Sequence, residues 1–380
     1  MIYLDAAATT PVKREVLEAM WPYLTGDFGN PSSHHGVGES AARALAEARR
    51  TVAEWLGCRP AELVFTSGGT EADNLALKGI ALGNPRGRRL VLSAIEHPAV
   101  VESADYLRRQ HGFEVTEVPV DETGLVHPDA FAAALRPDTT LATVMFANNE
   151  IGTVQPVAEL AAAAHAAGDI PFHTDAVQAA GWLDTRVDAL GVDALSFSGH
   201  KLGAPKGIGA LFVRGRQRLE PLVHGGGQER GNRSGTENVA FAVGLAAAVT
   251  ASERMRVEAA ERTSGLRDEF IRAVLAGVPD ARLTGNAQHR LPSVASFCFP
   301  GTSGEAVLLQ LEERGVVVSS GSACAAGSDE PSPVLLACGI AREVAQTAVR
   351  FTFTAETTAE ELRTAATALA VAVAEVSALR

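Results

Sequence analysis

Lys201 closes an apolar, β-prone run (Val192 to Phe197) that ends in Ser198-Gly199-His200. Lysine usually sits on solvated surface, so one delivered to the end of a strand can have a second use, condensing its amine with a carbonyl as a Schiff base. A plain turn lysine is the competing reading. Lys206 is the competing amine, but it follows Ala204-Pro205 and falls in the loop to the next strand. Asp175 follows a similar run, Ile170 to His173, and its carboxylate there suits a cation such as a protonated pyridine nitrogen. The same aspartate would equally serve as an N-cap of a following helix. His97 stands after the run Leu90 to Ser93, where an imidazole titrating near neutrality could stack on a ring and exchange protons. His200 is the other histidine at a strand end; His34, His35, His127, His165 and His289 have no such placement and are read as surface or core.

Thr66-Ser67-Gly68-Gly69-Thr70 carries a strand into a helical pattern. Backbone N–H groups, hydroxyls and a positive dipole end gather there, which suits a phosphate, although such a corner is also simply a tight turn. Its spacing is neither that of a P-loop nor that of a dinucleotide-binding turn, which argues against nucleotide hydrolysis and hydride transfer. Cys324 lies in Ser319-Ser-Gly-Ser-Ala-Cys324, a loop of small residues that cannot pack a core, so an exposed thiol is expected. No His, Lys or Arg beside it lowers its pKa, and the thiol is read both as a nucleophile and as incidental.

The elements that must position these groups repeat one pattern. Five apolar segments (62–66, 90–93, 141–146, 170–173 and 196–198) each end in polar residues, and helical stretches follow most of them. That is an α/β, doubly wound arrangement, whose ligand crevice lies beyond the carboxyl ends of the strands. A chain of 380 residues exceeds one core, so a large, mostly parallel-sheet domain (15–255) is expected beside a smaller α+β domain (1–14 and 256–380). A helix from about Ala240 through Leu275 would link them, with later strands at 294–299, 316–319 and 348–354. Thr358-Ala-Glu-Glu361 reads as the capping box of a last helix.

Net charge is −12 and the basic runs are short, so no direct nucleic-acid contact is expected. No leader and no apolar run of membrane-spanning length is read, which points to a cytoplasmic protein with no membrane association. Four cysteines without C-x-x-C spacing fit a reducing compartment and no metal site. Cys298 and Cys338 read as small buried hydrophobes, Cys58 as incidental.

Taken together, these residues resemble the pyridoxal-phosphate-dependent cysteine desulfurases of the NifS/IscS type, in the class V aminotransferase fold. The resemblance rests on Tyr3-Leu-Asp through Pro11, Gly29-Asn-Pro-Ser-Ser33, Phe65 through Asn74, Glu96-His97, Asn148-Asn-Glu-Ile-Gly152, Thr174-Asp-Ala-Val-Gln178, Ser196 to Lys201, Gly225 to Arg230, Ser234 to Asn238 and Ser319 to Cys324. It implies the PLP-dependent transferase fold and conversion of L-cysteine to L-alanine. Lys201 would hold pyridoxal 5'-phosphate and move protons, His97 would stack on the ring, Asp175 would pair with the pyridinium and Gln178 with the phenolic oxygen. The phosphate would be held at Gly69, Thr70, Ser198 and His200, with Thr236 reaching the neighbouring subunit of a homodimer. Asn149 and Arg350 would bind the substrate carboxylate, and Cys324 would take the sulfur as a persulfide for an acceptor protein.

Departures concern access and acceptor. Ala6, Pro98 after His97 and Ala325 after the cysteine differ from common family residues, and Arg350 is followed by Phe-Thr-Phe-Thr. The chain stops at Arg380 without the tail by which housekeeping members dock their scaffold. Iron-sulfur assembly, tRNA thiolation, DNA phosphorothioation and biosynthetic sulfur supply are all open. An aminotransferase or selenocysteine lyase would keep Lys201 and Asp175 without needing Cys324, and a non-catalytic sulfur-transfer partner would need neither turnover nor a nucleophile.

Overall fold

The computed structural model describes residues 1–83, 86–320 and 330–378. A short strand β1 (Ile2–Tyr3) precedes the large sheet, formed by β2 (Leu63–Thr66), β3 (Arg89–Ser93), β4 (Glu114–Val118), β5 (Thr139–Thr143), β6 (Phe172–Asp175), β7 (Ala194–Ser198) and β8 (Gly209–Val213). Their order is β2-β8-β7-β6-β5-β3-β4. β8 runs antiparallel to both neighbours and the remaining pairings are parallel. The carboxyl ends of six strands therefore share one edge, the convergence predicted from the sequence. Every residue of β2, β5, β6, β7 and β8 is buried, as strands covered by helices on both faces must be.

The 39-residue helix Val239–Gly277 changes partners along its length. Val239 to Val249 pack into the core of the large sheet, whereas Phe270, Ile271 and Val274 join a second core with Phe297, Phe351 and Phe353. That second core covers an antiparallel sheet of β9 (Arg282–Leu283), β10 (Val294–Cys298) and β12 (Ala348–Thr352), while β11 (Val316–Val317) pairs with β1. The aromatic cluster is close-packed, with Phe270 and Phe351 ring centroids 5.0 Å apart. The capping box is formed: Thr358 N–H donates to Glu361 Oε2 at 2.8 Å, and Glu361 N–H to Thr358 Oγ1 at 3.2 Å.

Several sequence expectations change. The strands expected at 316–319 and 348–354 end sooner, at Val317 and Thr352. Asp175 is the last residue of β6 rather than a residue beyond it. A turn, not a helix, follows it, and its carboxylate Oδ1 accepts the Val177 N–H at 2.8 Å to close that turn.

Candidate active site

β2 delivers Thr66 to the edge, where Ser67 and Gly68 lead into the helix Gly69–Asn74. Glu71 Oε2 accepts the Ser67 N–H at 2.7 Å, and Arg233 Nε donates to Glu71 Oε1 at 2.8 Å, so the corner is tied from both sides. A Cβ on Gly69 would fall 2.6 Å from Val177 Cγ2; only glycine lets the helix start lie against the turn after Asp175. A Cβ on Gly68 would come within 3.8 Å of Ser198 Oγ. Gly69, Thr70 and Ser198 thus share one small, donor-rich corner, with Thr70 exposed at its mouth.

β7 ends at Ser198, and a single 3-10 turn, Gly199–Lys201, carries the lysine back under the N-terminal segment. Lys201 Nζ donates to the carbonyls of Ala7 and Ala8, and Gln178 Nε2 donates to the same Ala7 carbonyl at 3.1 Å. Half-buried Lys201 contrasts with exposed Lys206, which agrees with its loop assignment. His200 Nδ1 lies 3.1 Å from Thr9 Oγ1, and burial, with Lys201 and Lys206 nearby, lowers its pKa to about 4, so the imidazole is neutral at pH 7.

His97 is fixed as the N-cap of Pro98–His111, its Nδ1 accepting the Ala99 N–H at 3.1 Å. One nitrogen of His97 and carboxylate oxygens of Asp73 and Asp175 all lie within 4.8 Å of one another. Burial raises the pKa of Asp175, while His97, the Val177 N–H and Lys201 oppose the rise. Burial and then the Asp175 charge push Asp73 well above the usual carboxylate range. Glu96, beside His97, accepts from Met145 N–H and Ser93 Oγ, yet burial still raises it to about 8.

Arg350 of β12 is buried; its Nη1 donates to the Asn149 carbonyl at 2.9 Å and its Nη2 to Asp5 Oδ1 at 3.0 Å. Arg350 and Asn149 are therefore together, through the backbone oxygen of Asn149. Among the described residues Arg350 Nε is buried without a partner, a donor suited to an anionic ligand. Asn148 Oδ1 caps the loop by accepting from the N–H groups of Glu150 and Ile151. Glu150 accepts from Ser332 Oγ, and burial raises it to about 7 against the pull of Ser332 and Arg350.

Cys324 lies outside the described residues. Before that segment, Ser319 exchanges backbone hydrogen bonds with Arg350 (2.7 and 3.3 Å). Burial raises the thiols of Cys58, Cys298 and Cys338 to about 12, 11 and 12, which keeps them protonated and unreactive. Thr236 is exposed and no contact ties its side chain to this subunit's corner among the described residues. It follows a segment anchored by the Arg49–Glu229 pair, in which Arg49 Nη1 donates to Glu229 Oε2 at 2.8 Å and Glu229 also accepts the Phe65 N–H at 3.0 Å.

Sequence reasoning assigned no role to Asp73, Glu96, Glu150, His173, Asp5 or Glu229. A signal existed for two of them: Asp73 is one helical turn from Thr70, and His173 lies two strand residues from Asp175, on the same face of β6.

The profile of the aminotransferase class-V family matches residues 2–364. The chain is 47% identical over 362 residues to a protein named cysteine desulfurase IscS from Dictyoglomus turgidum, covering 95% of this chain and 91% of that protein. It is 46% identical over 363 residues to the IscS cysteine desulfurase of Methanosarcina thermophila, covering 95% and 89%. Among solved structures, a NifS-like protein superposes with a TM-score of 0.92 at 36% identity, covering 98% of this chain and 99% of that one. A structure described as SspA in complex with cysteine gives a TM-score of 0.80 at 38% identity, covering 93% and 99%.

Proposed function

This chain belongs to the aminotransferase class-V family, among its cysteine desulfurases, and from that premise we propose how its own residues divide the reaction. The protein is an enzyme that converts L-cysteine to L-alanine with transfer of the sulfur. The family depends on pyridoxal phosphate, and the described residues fit that group. A glycine-dependent corner at Gly69 suits the phosphate. A buried carboxylate at Asp175 suits the ring nitrogen, and an amine on Lys201 suits the aldehyde.

In this reading Gly69, Thr70, Ser198 and neutral His200 hold the phosphate. Asp175 pairs with the pyridinium, Gln178 with the phenolic oxygen, and His97 lies on the ring face. When bound, the cofactor supplies an electron sink for the carbanion that forms at the substrate Cα. Arg350 and the Asn149 segment bind the substrate carboxylate, which orients the Cα–H bond toward Lys201. Lys201 Nζ takes that proton and later returns a proton as alanine forms. The thiolate of Cys324 attacks the substrate sulfur; a new S–S bond forms, and the Cβ–S bond breaks with its electron pair retained by the carbon skeleton. The persulfide on Cys324 then passes to an acceptor protein.

Thr236 serves the neighbouring subunit's phosphate, which makes the enzyme a homodimer. Its exposure on the protomer supports that assignment. We further place the domain division at 15–255 against 1–14 with 256–380, supported by the change of core along the long helix. Localisation in the cytoplasm, with no direct nucleic-acid or membrane partner, completes the reading; among the described residues no helix is long and apolar enough to cross a membrane.

The observation that carries this reading is the convergence of His97 and Asp175 within 4.8 Å at the edge where β7 delivers Lys201. Its test is a Cys324→Ala protein. It should bind pyridoxal phosphate, form a borohydride-trappable adduct at Lys201, and yield neither a persulfide nor alanine on multiple turnover. Sulfide release from cysteine at the wild-type rate would sink the assignment of Cys324, and an adduct at Lys206 would sink that of Lys201.

A further inference from the structure

Asp73 and Asp175 place two fully buried carboxyls beside one histidine, and their surroundings are unequal. Asp175 has an N–H donor at 2.8 Å from Val177 and faces His97 and Lys201. Asp73 has less support: the Ser196 hydroxyl is a side-chain partner that opposes its raised pKa, but among the described residues its buried Oδ1 has no hydrogen-bond partner, and His173 Nε2 is 3.7 Å away. That nitrogen is already engaged with Ser196 Oγ at 2.9 Å, and His173 Nδ1 with Thr143 Oγ1 at 2.8 Å. Full burial lowers His173 to about 3, so it offers Asp73 no positive charge.

Two carboxylates this close in a dry site cannot both be ionised without a compensating cation. The one with donors and cations keeps the charge. We propose that Asp73 is a positioning residue for Asp175: a protonated, neutral carboxyl packed with Ser196 and His173 that leaves Asp175 as the single anion facing the pyridine nitrogen. The inference rests on the reading of Asp175 as the partner of that nitrogen. A second negative charge at Asp73 would draw the ring's proton away from Asp175 and spread the counter-charge over two sites. A neutral Asp73 keeps it on one. The titratable and charged groups facing the pair are Glu96, His97, His173 and Lys201, and none of them belongs to the helix that carries Asp73.

The test uses the full-length protein with Asp73→Asn, Asp73→Ser and Asp175→Asn. Pyridoxal phosphate affinity is measured by fluorescence titration from pH 6 to 9, and thermal unfolding of the cofactor-free protein over the same range. Asp73→Asn is expected to bind within threefold of wild type at pH 6.5. Its affinity should also vary less with pH than that of wild type, because the ionisation of Asp73 is gone. Its unfolding midpoint at pH 8 should be at least that of wild type, since a carboxyl whose pKa is raised by folding loses stability as pH rises. A tenfold weaker affinity at pH 6.5, parallel pH curves for variant and wild type, or a lower midpoint at pH 8 in both Asp73→Asn and Asp73→Ser would each overturn the proposal. Asp175→Asn separates the two readings: wild-type affinity in that variant removes Asp175 as ring partner, while the unfolding data still decide the protonation of Asp73.

Discussion

Arg350 reaches Asp5 across almost the whole chain, Nη2 to Oδ1 at 3.0 Å, while its Nη1 holds the Asn149 carbonyl at 2.9 Å. The guanidinium is thus oriented by the N-terminal segment and the loop carrying Asn149, and among the described residues its buried Nε has no partner. Such a fork recognises a carboxylate.

Arg350→Ala should therefore raise KM for cysteine by about 10- to 100-fold with a smaller effect on kcat, the loss of a charged hydrogen bond of about 1.5–3 kcal/mol. Steady-state kinetics decide the matter; an unchanged KM would place the substrate carboxylate elsewhere.

Glu229 and Arg49 are almost wholly buried, their side chains 3% and 12% exposed, and Glu229 also accepts the Phe65 N–H. Removing one partner strands the other charge. Glu229→Leu should cost about 3–5 kcal/mol in unfolding free energy by urea titration. The double variant Arg49→Met/Glu229→Leu should recover part of that loss but not all, because Phe65 N–H still lacks its acceptor. A single variant as stable as wild type would mean that water reaches the pair.

Gly69→Ala places a methyl 2.6 Å from Val177 Cγ2, a stiff β-branched atom that cannot swing away. The helix start or the turn after Asp175 must shift. We expect pyridoxal phosphate to bind roughly tenfold more weakly and the cofactor-free protein to lose about 1–3 kcal/mol. Gly69→Ala combined with Val177→Ala, which removes the Cγ2 that the new methyl would meet, is the comparison that isolates the clash; equal losses with and without the Val177 change would point to the hydrogen bonds of the corner instead.

Lys201, Asp175, His97 and the Ser67–Thr70 corner were legible because each ends an apolar run, and a parallel sheet sends all such ends to one edge. Partners that act through burial were not. Asp73 reads in sequence as an ordinary acidic residue near the end of a short helix; what sets it apart is His173 on another element, 3.7 Å away. β4 went unread because Glu-Val-Thr-Glu-Val alternates with charge, as an edge strand does. The alternative reading of Asp175 as a helix N-cap does not hold, because its carboxylate accepts the Val177 N–H and the chain turns at once.

Glu150 offers the clearest pH signature. Burial raises its pKa from the ordinary 4.5 to about 7, with Ser332 Oγ and Arg350 opposing the rise. The folded protein therefore holds this proton where the unfolded chain has released it, so stability is full below about pH 4.5 and falls as pH rises toward 7. That window corresponds to at most about 3 kcal/mol. Glu150→Gln keeps an oxygen to accept from Ser332 Oγ but has no proton to lose. Its unfolding midpoint should match wild type near pH 4.5 and exceed it above pH 7, while Glu96, raised to about 8, keeps both proteins declining a little further. Glu150→Ala loses the Ser332 bond and should fall below Glu150→Gln at every pH. Cofactor-free protein followed by circular dichroism from pH 4.5 to 8 gives all three curves; a Glu150→Gln curve parallel to wild type would mean that Glu150 is ionised throughout and that Arg350, not burial, governs it.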